Sequence, residues 1–95
     1  MNNYERYYRR AYNALQKLIK AYKDGYNPKK MSEFRESLRL AAKFPMMYRA
    51  VDAEEICDVR VFHCEYISVY YRILETEILV ETVFDTRQDP AKLPY

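Results

Sequence analysis

The chain has 95 residues, two cysteines and a net charge of +2, with 49% hydrophobic and 32% charged residues. That suffices for one folded domain with a single core, 1–95, and excludes both a two-core protein and a disordered one. No apolar run reaches the ~20 residues of a membrane span, and MNNYERYYRR has no apolar signal segment, so a cytoplasmic protein with no membrane contact is expected.

Asn3 to Tyr8, NYERYY, alternates weakly and is rich in tyrosine, which favours a short first strand over the alternative, a helix that begins at Asn3 or Tyr4 and runs straight on. From Arg9 to about Lys23 the period is helical. Ala11, Leu15, Leu18 and Tyr22 form the stripe, and Ala14 and Ile19 widen it. Gly25, the only glycine, is placed to end this helix, and Asn27-Pro28 to turn the chain. A second helix follows from Pro28 or Lys29 to Lys43, with Met31, Phe34, Leu38, Ala41 and Ala42 on one side. Phe44-Pro45 stops it, because the residue before proline is pushed out of the helical region. Met46 to Asp58 reads as an irregular or loosely helical connection.

Val59 to Cys64 is a strand, with Val59, Val61 and His63 alternating against Arg60, Phe62 and Cys64. The organising stretch is the hairpin from Tyr66 to Pro90. Ile67, Val69, Tyr71 and Ile73 alternate with Tyr66, Ser68, Tyr70 and Arg72, and Glu75-Thr76-Glu77 interrupts the apolar pattern. It resumes from Ile78 to Phe84, with Ile78, Val80 and Phe84 expected on one face and Leu79 and Val83 on the other. Apolar residues on both faces predict a central, doubly covered strand. The element order is (β)ααβββ: an α+β domain whose helical hairpin covers a sheet of three or four strands.

Charge is divided unevenly along the chain. Residues 1–50 carry twelve Lys/Arg and four Asp/Glu, and residues 51–95 carry four and ten. A basic helical layer suits an acidic protein partner or nucleic acid, or is a solvated lysine-rich face. With one histidine and no CxxC, the only conceivable metal set is Cys57, His63, Cys64 and a carboxylate. Two reduced cysteines and no metal or other cofactor are expected.

The segments LRLAAKFPMMYR (Leu38 to Arg49), VRVFH with its arginine at Arg60, YYRI (Tyr70 to Ile73) and ILVETVFDTRQDPAKL (Ile78 to Leu93) resemble the RelE/ParE superfamily of type II toxin–antitoxin toxins, also known as plasmid stabilisation proteins. That family shows a similar "fP" after its second helix, a "Y-R-I/V" strand and a hydrophobic strand closing in an "R-x-D/N-P" tail. NYERYYRRAYNAL sits where the family has its first strand and the start of its first helix. The resemblance implies two helices on a curved antiparallel sheet, growth arrest, and neutralisation by a cognate antitoxin. RelE-like members cleave mRNA on the ribosome; ParE-like members inhibit DNA gyrase and have no known hydrolytic chemistry.

Metal-free RNA cleavage of the RelE kind uses the RNA's own 2′-oxygen, so the protein must supply a base, an acid and several cations around one phosphate. Arg60 matches the family's arginine early in its strand, and Arg87 matches the basic residue after the last strand. The match then weakens. Ser68 stands where RelE-like enzymes carry an arginine, and Asp85 where some relatives carry a histidine. A carboxylate there repels the scissile phosphate, and the sheet half is net acidic, the wrong sign for RNA. His63, on the strand face with Val59 and Val61, reads as a packed or hydrogen-bonded residue. Tyr66, Tyr70, Tyr71 and Tyr95 have rings able to stack on bases, but tyrosines are plentiful throughout the chain.

The balance favours a ParE-like toxin that binds gyrase, with Arg60, Asp85, Arg87 and Gln88 as target-binding candidates. A ribosome-dependent mRNA endonuclease and an inactive interaction module are the alternatives. For the tail, a structural role of Asp85 and Arg87 in shaping the turn is weighed equally with target contact.

Overall fold

The structure is a computed structural model that describes residues 8–20, 28–51, 58–88 and 91. Helix α1 spans Tyr8–Lys20 and α2 spans Pro28–Lys43. Four strands follow: β1 (Arg49–Ala50), β2 (Val59–Cys64), β3 (Ile67–Ile73) and β4 (Ile78–Asp85). They form one antiparallel sheet in the order β1-β2-β3-β4. Both helices pack on one face of it, α1 chiefly against β4 and α2 against β2, and they also touch each other. The α+β architecture expected from the sequence is the one found. Tyr8, expected to end a first strand, instead opens α1; the rest of that expected strand, and the turn at Gly25 and Asn27, lie outside the described residues.

Among the described residues the helical stripes follow the predicted spacing, while Tyr22 lies outside them. Ala11, Leu15 and Ile19 of α1 and Met31, Phe34, Leu38, Ala41 and Ala42 of α2 are buried. They meet Phe62, Ile67, Val69, Tyr71, Ile78, Val80 and Val83 from the sheet in the main core. Leu18 and Ala14 pack at its margin. At the end of α2 the Phe44 amide still donates to the Leu40 carbonyl at 2.7 Å, and Pro45, with no N–H, follows immediately.

The stretch read as irregular holds a short strand, β1, whose Arg49 and Ala50 lie opposite Val61 and Arg60. Two residues are too few for alternation to reveal.

The hairpin departs from expectation at two points. First, the pairing of β3 with β4 shifts between Tyr70 and Tyr71: Tyr70 faces Thr82 but Tyr71 faces Val80. Glu81 is the extra residue of a β-bulge, and a bulge reverses the alternation beyond it. Val83 therefore joins Ile78 and Val80 in the main core, while Phe84 lies on the opposite face with Val59, Val61 and Tyr70. The sequence reading, which placed Phe84 with Ile78 and Val80, assumed an unbroken period of two. Second, β4 is not central among the described residues. It pairs with β3 alone and ends the strand order. Its two-sided apolarity reflects the two clusters, one on each face of the sheet.

Candidate target-binding site

The β2–β3 turn is two residues long, because Cys64 pairs with Ile67. Glu65 takes a left-handed backbone there, with φ 53°. Ile67 in turn pairs with Asp85, so the turn residue Tyr66 lies beside the end of β4. The tail folds onto this turn. The Thr86 amide donates to the Tyr66 carbonyl at 2.7 Å and its hydroxyl to the same oxygen at 3.0 Å.

Arg87 closes the arrangement. Its Nε and Nη2 donate to both Asp85 carboxylate oxygens, the Nη2 bond being 2.6 Å, and its amide donates to Oδ1 at 2.9 Å. Its guanidinium carbon lies 3.8 Å from the centre of the Tyr66 ring. The Gln88 amide donates to the Asp85 carbonyl at 2.9 Å. Hydrogen bonds from the Arg87 side chain, and then from its amide, hold the Asp85 carboxyl below the ordinary carboxylate range despite burial. Asp85 is thus a buried anion that orients a cation, and the Arg87 side chain keeps 57% of its surface exposed. The local turn-shaping role weighed for these residues is seen directly.

Arg60 is elsewhere. It pairs with Tyr71, four residues along β3 from Ile67, so roughly 13 Å of strand separates it from Asp85. It lies on the helix-covered face, where its Nη1 donates to the Tyr48 carbonyl at 3.2 Å and its buried Nε has no partner among the described residues. Of the four candidates, the structure brings together Asp85, Arg87 and the Gln88 backbone; Arg60 holds the α2–β1 connection instead. Tyr48 packs on Phe62 and Tyr71 with ring centres 5.2 and 6.4 Å away, and the Tyr71 hydroxyl donates to the Pro45 carbonyl at 2.7 Å.

His63 and Ser68 face each other across β2 and β3, on the side away from the helices. His63 Nδ1 and Ser68 Oγ are 2.8 Å apart, and Ser68 is buried. The histidine is hydrogen-bonded, as its strand position suggested, and the enclosed hydroxyl is not placed to attack a substrate.

Cys64 is a free thiol 3.8 Å from Ser37 Oγ, and burial pushes its pKa up. Among the described residues no group of three His, Cys, Asp or Glu side chains gathers to hold a metal, and no helix is long and apolar enough to cross a membrane.

Two features escaped the sequence reading. One is Tyr66 as the platform for Arg87, which only the strand register reveals. The other is an open cleft of about 600 Å³ lined by Tyr8, Ser32, Glu33, Arg35, Glu36 and Arg39. The spacing of Arg35 and Arg39, one helical turn apart, was its only signal.

The family model described as "ParE toxin of type II toxin-antitoxin system, parDE" matches residues 6–90. No curated protein and no solved structure matches the chain.

Proposed function

The chain belongs to the ParE toxin family of type II toxin–antitoxin systems, and from that premise we propose that it arrests growth in the cytoplasm by binding DNA gyrase, without chemistry of its own, until a cognate antitoxin neutralises it. Family membership supports the antitoxin and the gyrase target. The absence of chemistry rests on one observation, the separation of the two cationic candidates. Cleavage of RNA at its 2′-oxygen needs cations gathered within hydrogen-bond reach of one phosphate, about 3 Å. Arg60 and Asp85 are roughly 13 Å apart along the sheet, and Arg87 already answers the Asp85 carboxylate.

In this reading Arg87 and Gln88 contact the target. Asp85 and Tyr66 act through Arg87, by fixing the guanidinium before the target arrives, which lowers the ordering cost of binding.

The test is a supercoiling assay with purified gyrase and the full chain, alongside induced expression with transcript mapping. Loss of supercoiling with intact transcripts, reversed by the co-expressed antitoxin and weakened by Arg87→Ala, is the expected result. Codon-positioned mRNA cuts would refute the gyrase reading. A chain with no effect on growth would be an interaction module rather than a toxin.

A further inference from the structure

The solvent-facing side of α1 is built from one kind of residue. Arg9, Arg10, Asn13, Lys17 and Lys20 are exposed, and every other residue of the helix is buried or half-buried. At about 100° per residue these positions share one strip, roughly 100° wide, along the helix. Helix α1 thus carries four Lys/Arg and no Asp/Glu, more positive charge than the net +2 of the whole chain. The Arg10 side chain stays 73% exposed even with Glu77 at 3.8 Å. Lys17 and Lys20 suit the last turn of a helix, but Arg9 and Arg10 do not suit the first. The helix dipole is positive there and disfavours cations, and no acidic residue in that turn offsets them.

The strip has a definite complement. A protein interface draws its affinity from buried apolar or aromatic anchors, and no exposed residue of α1 is apolar. A single nucleic-acid strand needs open rings on which its bases stack. The α1 rings, Tyr8 and Tyr12, are half-buried and stacked on each other, with centroids 6.1 Å apart. A duplex backbone needs neither, because release of its counterions to Lys and Arg supplies the affinity. The spacing also fits. Arg9 and Arg10 lie roughly 13 Å along the helix axis from Lys17 and Lys20, and the major groove of B-DNA is about 12 Å wide. One pair of cations therefore meets each bank of phosphates, with Asn13 between them. The major groove of duplex RNA is too narrow for the same fit.

We propose that the outer strip of α1 binds the phosphate backbone of duplex DNA, without regard to base sequence. None of its residues belongs to the Arg87 site, so the two surfaces are tested separately.

Fluorescence anisotropy of the full chain with short labelled DNA duplexes of two unrelated sequences tests this without gyrase or growth. Both duplexes should bind with micromolar or weaker affinity, and log affinity should fall against log salt with a slope of about −3, as three or four phosphate contacts require. Arg9→Gln/Lys17→Gln/Lys20→Gln, which alters only exposed side chains, should lower affinity on the order of tenfold or more and flatten that slope. Arg35→Gln/Arg39→Gln, which removes exposed charge from α2 instead, should leave the slope unchanged. Equal losses in the two variants would overturn the proposal, since the attraction would then be diffuse. Equal or tighter binding to single-stranded DNA, duplex RNA or polyglutamate would do the same. No binding at low salt would reduce the strip to a solvated face and overturn it outright.

Discussion

Replacing Tyr71 separates two contributions that meet at one residue. Its ring is fully enclosed in the main core, beside Tyr48 and Phe62, and its hydroxyl makes one bond, to the Pro45 carbonyl. Tyr71→Phe keeps the ring and removes that bond, leaving a carbonyl without its donor, at a cost of about 1–2 kcal/mol. For a domain of this length the melting temperature should fall by about 4–16 °C. Tyr71→Ala also removes the ring and costs about 3–5 kcal/mol, a large part of the ~5–15 kcal/mol that keeps a small domain folded. Burial, the dominant influence, holds the phenol far above its usual value of 10.0. A raised acid favours the folded state below the unfolded pKa and loses that contribution as pH rises through the folded one. Stability should therefore decline above about pH 10, and more gently in Tyr71→Phe. Urea titrations at pH 7 and across the alkaline limb, with hydrogen exchange at Phe44 and Met47, make the measurement. A phenylalanine variant within ~0.5 kcal/mol of the parent, with an unchanged alkaline slope, would refute the reasoning.

Other consequences are as direct. His63→Ala leaves the buried Ser68 hydroxyl unpaired and should cost about 1–2 kcal/mol in urea unfolding; Ser68→Ala should cost less, and adding it to His63→Ala should not increase the loss. Because Arg87 holds the Asp85 carboxyl low, its contribution is present above the unfolded pKa and is lost as pH falls below 3.8 through the folded value. Asp85→Asn should flatten that acid limb, and an unchanged acid unfolding curve would count against the clamp. Deleting Glu81, the bulged residue and ion-pair partner of Arg72, should leave a folded chain with its strand register intact. Deleting Val80 should unfold it, and equal outcomes in thermal melts would show the register to be wrong. In a Cys57→Ala chain, Cys64 should react with a disulfide reagent at pH 8 at least about tenfold more slowly than free cysteine, until denaturant is added.

Periodicity made both helical stripes, the alternation of β2 and β3 and the α+β class legible, because each is repeated burial on one face. The bulge was not legible. Val80-Glu81-Thr82-Val83 scans equally well as an unbroken strand, and only the pairing of Thr82 with Tyr70 and of Val80 with Tyr71 shows the register shift at Glu81. The strand β1 was hidden for a related reason, since its two residues are defined by what lies opposite them. At the site, sequence supplied Asp85, Arg87 and Gln88 through the tail motif. It offered Arg60 from a separate strand motif, and a motif orders residues along the chain but says nothing of distance across a sheet. Tyr66 was visible only as one of many tyrosines.

The bulge also decides what the tail presents. Counting in twos from Val80 without interruption would send Asp85 to the face that carries His63 and Tyr70. With Glu81 taken out of the ladder, Asp85 comes opposite Ile67 and beside the two-residue turn. There the Tyr66 carbonyl receives Thr86 and the Tyr66 ring receives Arg87. One bulged residue in mid-strand thus sets the side from which the Arg87 guanidinium is offered. The carboxylate that discourages RNA chemistry at this position is the same group that fixes the arginine. A phosphate-cleaving centre would need that cation uncommitted, whereas a surface that recognises a protein gains from a cation held still with more than half of its side chain open to solvent.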